Sequence, residues 1–204
     1  SAGGQALAHR PAPRYKDRVL HVVSCSSLIP EKQVPVLIDA LAGWQNSPIR
    51  WTHIGGGAQE EAVRAYAQEK LGDRPDVTYQ ITGMIAQEQV QAIYNAEAFD
   101  VFVNVSRTEG VPVSIMEAMR AGVPVVAPAV GGIPDMVDDA LGRLFAPEGG
   151  EQALRQAFEW LCKLAPEADE ALRTAAQARW NEQFRSEALL DTLFPEAIKG
   201  ACEE

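Results

Sequence analysis

Short apolar runs alternate with helically periodic stretches along most of the chain. The run "VLHVVSCS" (19–26) reads as a buried strand. In "EKQVPVLIDALAGW" (31–44), Val34, Leu37, Ile38 and Leu41 recur on one helical face. "IRWTHI" (49–54) is a second strand running into Gly55–Gly57, and "QEEAVRAYAQEKLG" (59–72) is a helix closed by Gly72. "DVTYQIT" (76–82) is a third strand ending at Gly83, and "QEQVQAIYNAEA" (87–98) is helical. "DVFVNVS" (100–106) is a fourth strand, "SIMEAMRAG" (114–122) a short helix stopped by Gly122, and "VPVVAPAV" (123–130) a fifth strand. "GGIPDMVDD" makes a helical turn and "GRLFA" (142–146) a short sixth strand. Beyond it the pattern is helical over 150–164, 167–182 and 186–199, punctuated by Pro166 and Pro195. Residues 1–17, rich in Gly, Ala, Pro and basic side chains, read as a flexible lead-in, and residues 200–204 as a tail.

Strands this short, apolar on both faces and alternating with helices, predict an α/β domain: a parallel sheet of about six strands covered by helices. In such sheets ligands bind outside the carboxyl ends of the strands. The glycine-bearing loops fall at those ends: Gly55–Gly57, Gly83, Gly110 and Gly131–Gly132. For any one loop, glycine explains itself as the residue of tight strand-to-helix turns. Four such loops on one edge point to a floor for a ligand.

Composition narrows the partners. Hydrophobic residues make up 47% and charged residues 23% of 204 residues, an ordinary globular balance. The net charge of −10 argues against a nucleic-acid surface or a broad anionic-membrane surface, but leaves room for one local anion site. Cys25, Cys162 and Cys202 show no disulfide or zinc spacing. Cys25 reads as a small core residue, and the set fits a reducing cytoplasm. The first residues carry no signal-type apolar segment, and no run of apolar residues is long enough for a membrane span. His9, His21 and His53 are not arranged as a catalytic cluster, and His21 and His53 fall in strands.

The stretch "SRTEGVPVSIMEAMRAGVPVVAPAVGG" carries two glutamates, Glu109 and Glu117, with seven residues between them. If a helix begins near Val113 or Ser114, Glu117 lies in its first turn and leans back toward Glu109. Between them, "GVPV" offers backbone N–H groups at a helix start, an anion site. Gly110 admits close approach to the main chain and Pro112 stiffens it. Acid, phosphate cradle, acid suits a ligand with a central diphosphate and a hydroxyl-rich ring at each end, as in a nucleotide sugar. The structural alternative is a capping box, Ser114 at the cap with Glu117 three residues on.

"EGVPVSIMEAMRAGVPVVAPAVGGIPDMV" resembles the E-x7-E segment of retaining glycosyltransferases of family 4 (glycosyl transferases group 1), and the likeness runs from about Val19 to Phe145. The resemblance implies the C-terminal, donor-binding half of a GT-B fold. Residues 18–199 then form a Rossmann-like nucleotide-sugar-binding domain with a helical tail, and the N-terminal acceptor domain is expected to be absent. It implies that Glu109 contacts the transferred sugar and Glu117 the ribose. Gly110, Val111, Pro112 and Val113 meet sugar and phosphate through their backbone. Lys32 neutralises the diphosphate, Gly83 and Met84 line the base, and Gly56 belongs to the glycine floor. Catalysis would rest on Glu109 and Lys32. Where the family has Gly-Arg-Leu before the lysine, this chain has Ser26, Ser27 and Leu28. Ser27 thus brings a hydroxyl where the pattern has a cation, and Arg107 is a substitute candidate. Gln33 replaces the usual glycine after the lysine.

The implied function is transfer of a sugar from a nucleotide-diphosphate sugar to a glycan or lipid-linked acceptor in polysaccharide or glycoconjugate biosynthesis. It is expected without a metal, since no Asp-x-Asp motif is present, and at the cytoplasmic face, with peripheral membrane association of the longer enzyme. The half by itself is expected to bind donor weakly and transfer little. The helices of 150–199 are expected to reach toward the other domain, exposing an apolar patch and a route to a homodimer. The alternative is an inactive nucleotide-sugar-binding or partner-binding module of the same fold. A non-hydrolysing epimerase and a dinucleotide oxidoreductase fit less well, the latter because "GGGAQE" is not G-x-G-x-x-G.

Overall fold

The computed structural model describes residues 19–184. Six strands form one sheet: β1 (Leu20–Cys25), β2 (Ile49–Ile54), β3 (Val77–Ile81), β4 (Val101–Val103), β5 (Val125–Pro128) and β6 (Gly142–Phe145). All five pairings are parallel, in the order β3-β2-β1-β4-β5-β6. The helices are α1 (Val34–Ala42), α2 (Glu60–Leu71), α3 (Gln87–Ala96), α4 (Val113–Arg120), α5 (Ile133–Met136), α6 (Gly150–Cys162) and α7 (Pro166–Gln183).

The strands are buried because both sheet faces are covered. Val22, Trp51, Val101 and Val126 pack with α1, α2 and α6 on one side. Val23, Phe102, Val125 and Ala127 pack with α3, α4, α5 and α7 on the other. Alternation along each strand sends neighbours to opposite cores. Fully burying one such Val or Phe side chain is worth roughly 2 kcal/mol, so the two apolar layers hold the sheet between the helices.

The order matters for function. The chain moves outward from β1 to β3, then returns to place β4 against β1 on its other side. The loops after β1 and β4 therefore come together at the topological switch point, the place where ligands of this architecture bind.

Several expectations are refined. The stretch 31–44 is broken: a 3-10 turn (Pro30–Lys32) precedes α1, and Gln33 joins them at φ 45°, ψ 34°. Among the described residues it is the one non-glycine with positive φ, a conformation that strains a side chain. Strand β4 has only three residues, against the seven expected: the Asn104 N–H still donates to the Val126 carbonyl at 3.0 Å, but its side-chain oxygen accepts from the Ser106 N–H and turns the chain away. Helix α4 starts at Val113 with Pro112 as its cap, and no side chain caps it. The Ser114–Glu117 capping box is therefore not formed, and Glu117 lies beyond the first turn.

Helices α6 and α7 do not reach away from the domain. Leu154, Ala157, Phe158 and Leu161 of α6 join the core around α1, Ala176 of α7 joins the core on the other side, and Leu172 of α7 is buried as well. Arg173 fastens α7 by donating to the carbonyls of Phe99 (3.1 Å) and Gly122 (3.4 Å). The exposed large apolar side chains among the described residues are Val19, Met84 and Val111, none of them on these helices. The expected apolar patch on 150–184 is thus absent, because both helices spend their apolar faces on this sheet. The lead-in, the helix expected over 186–199 and the tail lie outside the described residues.

Candidate functional site

Lys32 and Glu109 meet across the switch point. Lys32 closes the 3-10 turn after β1, and Glu109 lies in the loop after β4. The lysine Nζ donates to Glu109 Oε1 at 2.7 Å, with the two side chains 23% and 8% exposed. The Asn104 side chain donates to the same oxygen at 3.1 Å, while its own carbonyl oxygen accepts from the Ser106 N–H at 2.8 Å. Burial works against the Glu109 charge, but hydrogen bonds from Lys32, Ser106 and Asn104 outweigh it and hold this carboxyl below the usual glutamate range. Glu109 is therefore a fixed anion at neutral pH.

Its backbone is fixed as well. The β5–α5 loop presses on it so closely that a Cβ at Gly131 would lie 1.7 Å from the Glu109 carbonyl oxygen, and one at Gly132 2.4 Å from that of Gly110. Gly131 also has φ +53°. On the other side the Arg107 N–H donates to the Glu31 carbonyl at 2.8 Å. That bond sews the β4 loop to the turn carrying Lys32, with the Arg107 side chain exposed on the rim.

Gly110 stands open: a Cβ there would meet nothing within 4 Å. Val111 beside it is 53% exposed, Pro112 is buried, and Val113 starts α4. The first N–H groups of a helix have no carbonyl four residues back to bond. Those of Val113 and Ser114 therefore offer an anion site next to the bare backbone of Gly110.

Glu117, on α4, has different surroundings. One carboxylate oxygen accepts a hydrogen bond from the Gln87 side chain at the start of α3. Cys25, at the carboxyl end of β1, and Tyr94 of α3 lie within electrostatic reach. Burial raises the Glu117 pKa above the usual range, and the opposing effects of Gln87 and Arg120 do not cancel it. Cys25 is half-buried rather than wholly in the core, and its thiol is pushed up to about 12, by burial first and then by the Glu117 charge.

The glycines after β2 have a packing reason. Gly55 bridges Gly83, and a Cβ at Gly56 would sit 2.7 Å from the Met84 nitrogen. Gly56 is buried, while Met84 is 78% exposed on the same edge. Gly56 thus lets the β2 and β3 loops close against each other, and Met84 presents the apolar surface. Ser27 is exposed at the turn after β1. His53 is a core residue: it is fully buried, its Nδ1 pairs with Ser24 Oγ at 2.9 Å, and burial pushes its pKa down to about 4.

The structure therefore brings Lys32, Glu109, Gly110–Val113 and Glu117 to one edge. Sequence reasoning missed Asn104 and Gln87. A polar residue ending the apolar run "DVFVN" was the available sign for Asn104. Nothing local marks Gln87, because its partner lies 30 residues away.

A family model described as "Glycosyl transferases group 1" matches residues 19–163. The chain belongs to that family. It is 34% identical over 143 residues to an amylovoran biosynthesis glycosyltransferase of Erwinia amylovora, covering 66% of this chain and 34% of that protein. It is 27% identical over 179 residues to a putative colanic acid biosynthesis glycosyltransferase of Salmonella typhimurium, covering 83% and 43%. This glycosyltransferase domain thus spans less than half the length of either relative. Among solved structures, sucrose-phosphate synthase from Thermosynechococcus elongatus superposes with TM-score 0.70 at 25% identity, over 93% of this chain and 47% of that one. Anabaena HepE in complex with UDP and glucose superposes with TM-score 0.69 at 25% identity, over 89% and 48%. The domain is the Rossmann-like half of a GT-B fold. No helix among the described residues is long and apolar enough to cross a membrane.

Proposed function

We propose that this domain binds the donor in a retaining glycosyltransferase that moves a sugar from a nucleotide-diphosphate sugar to a glycan or lipid-linked acceptor in polysaccharide or glycoconjugate biosynthesis. The observation that carries the reading is the Lys32–Glu109 pair at 2.7 Å across the switch point, beside the open backbone of Gly110. A diphosphate entering there competes for the lysine and accepts from the N–H groups of Val113 and Ser114. Those groups stabilise the negative charge that grows on the leaving diphosphate as the glycosidic bond breaks. Lys32 and the helix start supply the positive field, so the reading calls for no metal ion. Glu109, freed from Lys32 but still held by Asn104, orients the sugar hydroxyls and stabilises positive charge at the anomeric carbon. Glu117 accepts from the ribose hydroxyls, and Met84 with Gly83 borders the base. HepE, seen with UDP and glucose, supports this class of ligand. The acceptor and its activation belong to a second domain, so by itself this half turns over little or not at all, and association with a membrane surface belongs to the longer enzyme.

Calorimetry with UDP-, GDP- and ADP-sugars tests the reading. One of them is expected to bind, and no detectable heat with any sinks it. Glu117→Ala is expected to weaken the binding sugar nucleotide about tenfold, the scale of a charged hydrogen bond, with unchanged secondary structure by circular dichroism. Helix α4 has no cap at Glu117 to lose. A second reading, an inactive binding module, is favoured by one observation: exposed Ser27 adds no charge beside Lys32. It predicts donor binding without turnover even when the chain is joined to an N-terminal GT-B half.

A further inference from the structure

The Glu117 carboxylate has one hydrogen-bond partner among the described residues. Gln87 Nε2 donates to Glu117 Oε1, joining the first residue of α3 to the middle of α4. The other groups around this carboxylate offer little. Cys25 from β1 and Tyr94 from α3 bring no positive charge, and the Tyr94 hydroxyl is buried without a partner. Arg120, on α4 itself, is exposed and lies over the Trp180 ring, 5.6 Å from its centre. Arg120 acts on this acid only through space, and no cation among the described residues pairs with it to fix its orientation, in contrast to Glu109.

The donor to Glu117 stands on a rigid base. Gly83, at φ +73°, bridges Gly55 across the edge. The Ala86 N–H is capped by the Gln89 side chain at 3.0 Å, which sets the first turn of α3 and the direction of Gln87. The segment from Gly83 to Gln87 is thus pinned at both ends, and it carries Met84 at one end and the bond to Glu117 at the other. An ionised carboxylate accepts at about four lone-pair sites. Gln87 takes one and leaves the rest for two vicinal hydroxyls.

We propose that Gln87 is a positioning residue that fixes the Glu117 carboxylate for the ribose hydroxyls and couples it to the segment bordering the base. The inference rests on the ribose role given to Glu117 above. It makes Gln87 the reason that a carboxylate without an ion pair holds one orientation at the edge. Its loss leaves Glu117 present but free to turn, so affinity falls only for ligands that use the hydroxyls.

The test is calorimetry on the 204-residue chain with UDP, GDP and ADP, each against its 2′,3′-dideoxy counterpart. For the base that binds best, the wild-type chain is expected to prefer the ribose form about tenfold. Glu117→Ala removes the preference. Gln87→Ala lowers it about three- to fivefold while the dideoxy affinity stays the same. Gln87→Glu, which sets one carboxylate against another, lowers it further at pH 8. A Gln87→Ala chain that keeps the wild-type preference, while Glu117→Ala loses it, overturns the positioning role and leaves the ribose role standing. Equal losses on ribose and dideoxy forms in Gln87→Ala also overturn it, since they mark damage to the base segment instead. A wild-type preference in Glu117→Ala overturns the ribose role itself, and absence of binding by all three diphosphates overturns the donor reading.

Discussion

The two glutamates of one short segment end in opposite electrostatic settings. Glu109 is held by Lys32, Asn104 and Ser106, and its pKa is depressed. Glu117, eight residues on, lies within electrostatic reach of Cys25 and Tyr94, takes one hydrogen bond from Gln87, and its pKa is raised. Both are partly buried. The difference teaches that burial alone does not set the charge state of a carboxyl; the donors and charges aimed at it weigh against burial and decide the sign. Under the proposed function, Glu109 stays charged beside a cation that a diphosphate takes away. Under the same proposal, Glu117 accepts hydroxyls in a drier niche.

Three measurements test this contrast, in order of size. The largest effect is expected from Gly131→Ala. The new Cβ collides with the Glu109 carbonyl, and φ +53° strains any other residue. A loss of about 3 kcal/mol in urea unfolding is expected, from clash and strain together. Nucleotide affinity should fall with it while the preference for ribose stays. A Gly131→Ala chain of wild-type stability would mean that Glu109 is not propped from that side.

Lys32→Met comes next. It leaves a carboxylate, 8% exposed, without its cation, and about 2 kcal/mol of stability should be lost at pH 7. The sign of the pH effect follows from the depressed pKa. Glu109 in the folded chain holds its proton less tightly than in the unfolded chain. Its contribution is present above the unfolded value of about 4.3 and is lost as pH falls through the folded pKa. The gap between Lys32→Met and wild type should therefore narrow in acid, where Glu109 is neutral in both. A gap independent of pH would assign the lysine a packing role.

Glu117→Gln is the smallest and has the opposite sign. A raised folded pKa means that the ionised acid costs stability at neutral pH, a cost relieved as pH falls through that pKa. The variant should be about 0.5 kcal/mol more stable than wild type at pH 7, with no difference near pH 3. Destabilisation at pH 7 would show that the bond from Gln87 outweighs burial.

Much of the fold was legible because its signals are local. The alternation of apolar runs and amphipathic stretches places the strands, and β2 falls on the expected residues 49–54. The glycines mark the correct edge. Element ends were less legible. Strand β4 stops early because Asn104 turns to Glu109 and Ser106, and α4 starts at Val113 because Pro112 caps it with backbone alone. The helical tail was misjudged for the part described. Amphipathic α6 and α7 each carry an apolar stripe, and a stripe does not say which surface it covers.

The sequence by itself determined the class of the domain and the identity of the two acids. Periodicity reports burial directly, and "EGVPVSIME" can be read without coordinates. Only the tertiary structure decided what each acid is. Lys32 is 77 residues from Glu109, and Gln87 is 30 from Glu117. These partners are set by the strand order, which brings the loop after β1 beside the loop after β4 and the start of α3 over α4. The effect of a neighbouring charge or donor on a carboxyl's proton affinity falls off with distance in space, not along the chain, so no reading of neighbours in sequence could have separated Glu109 from Glu117.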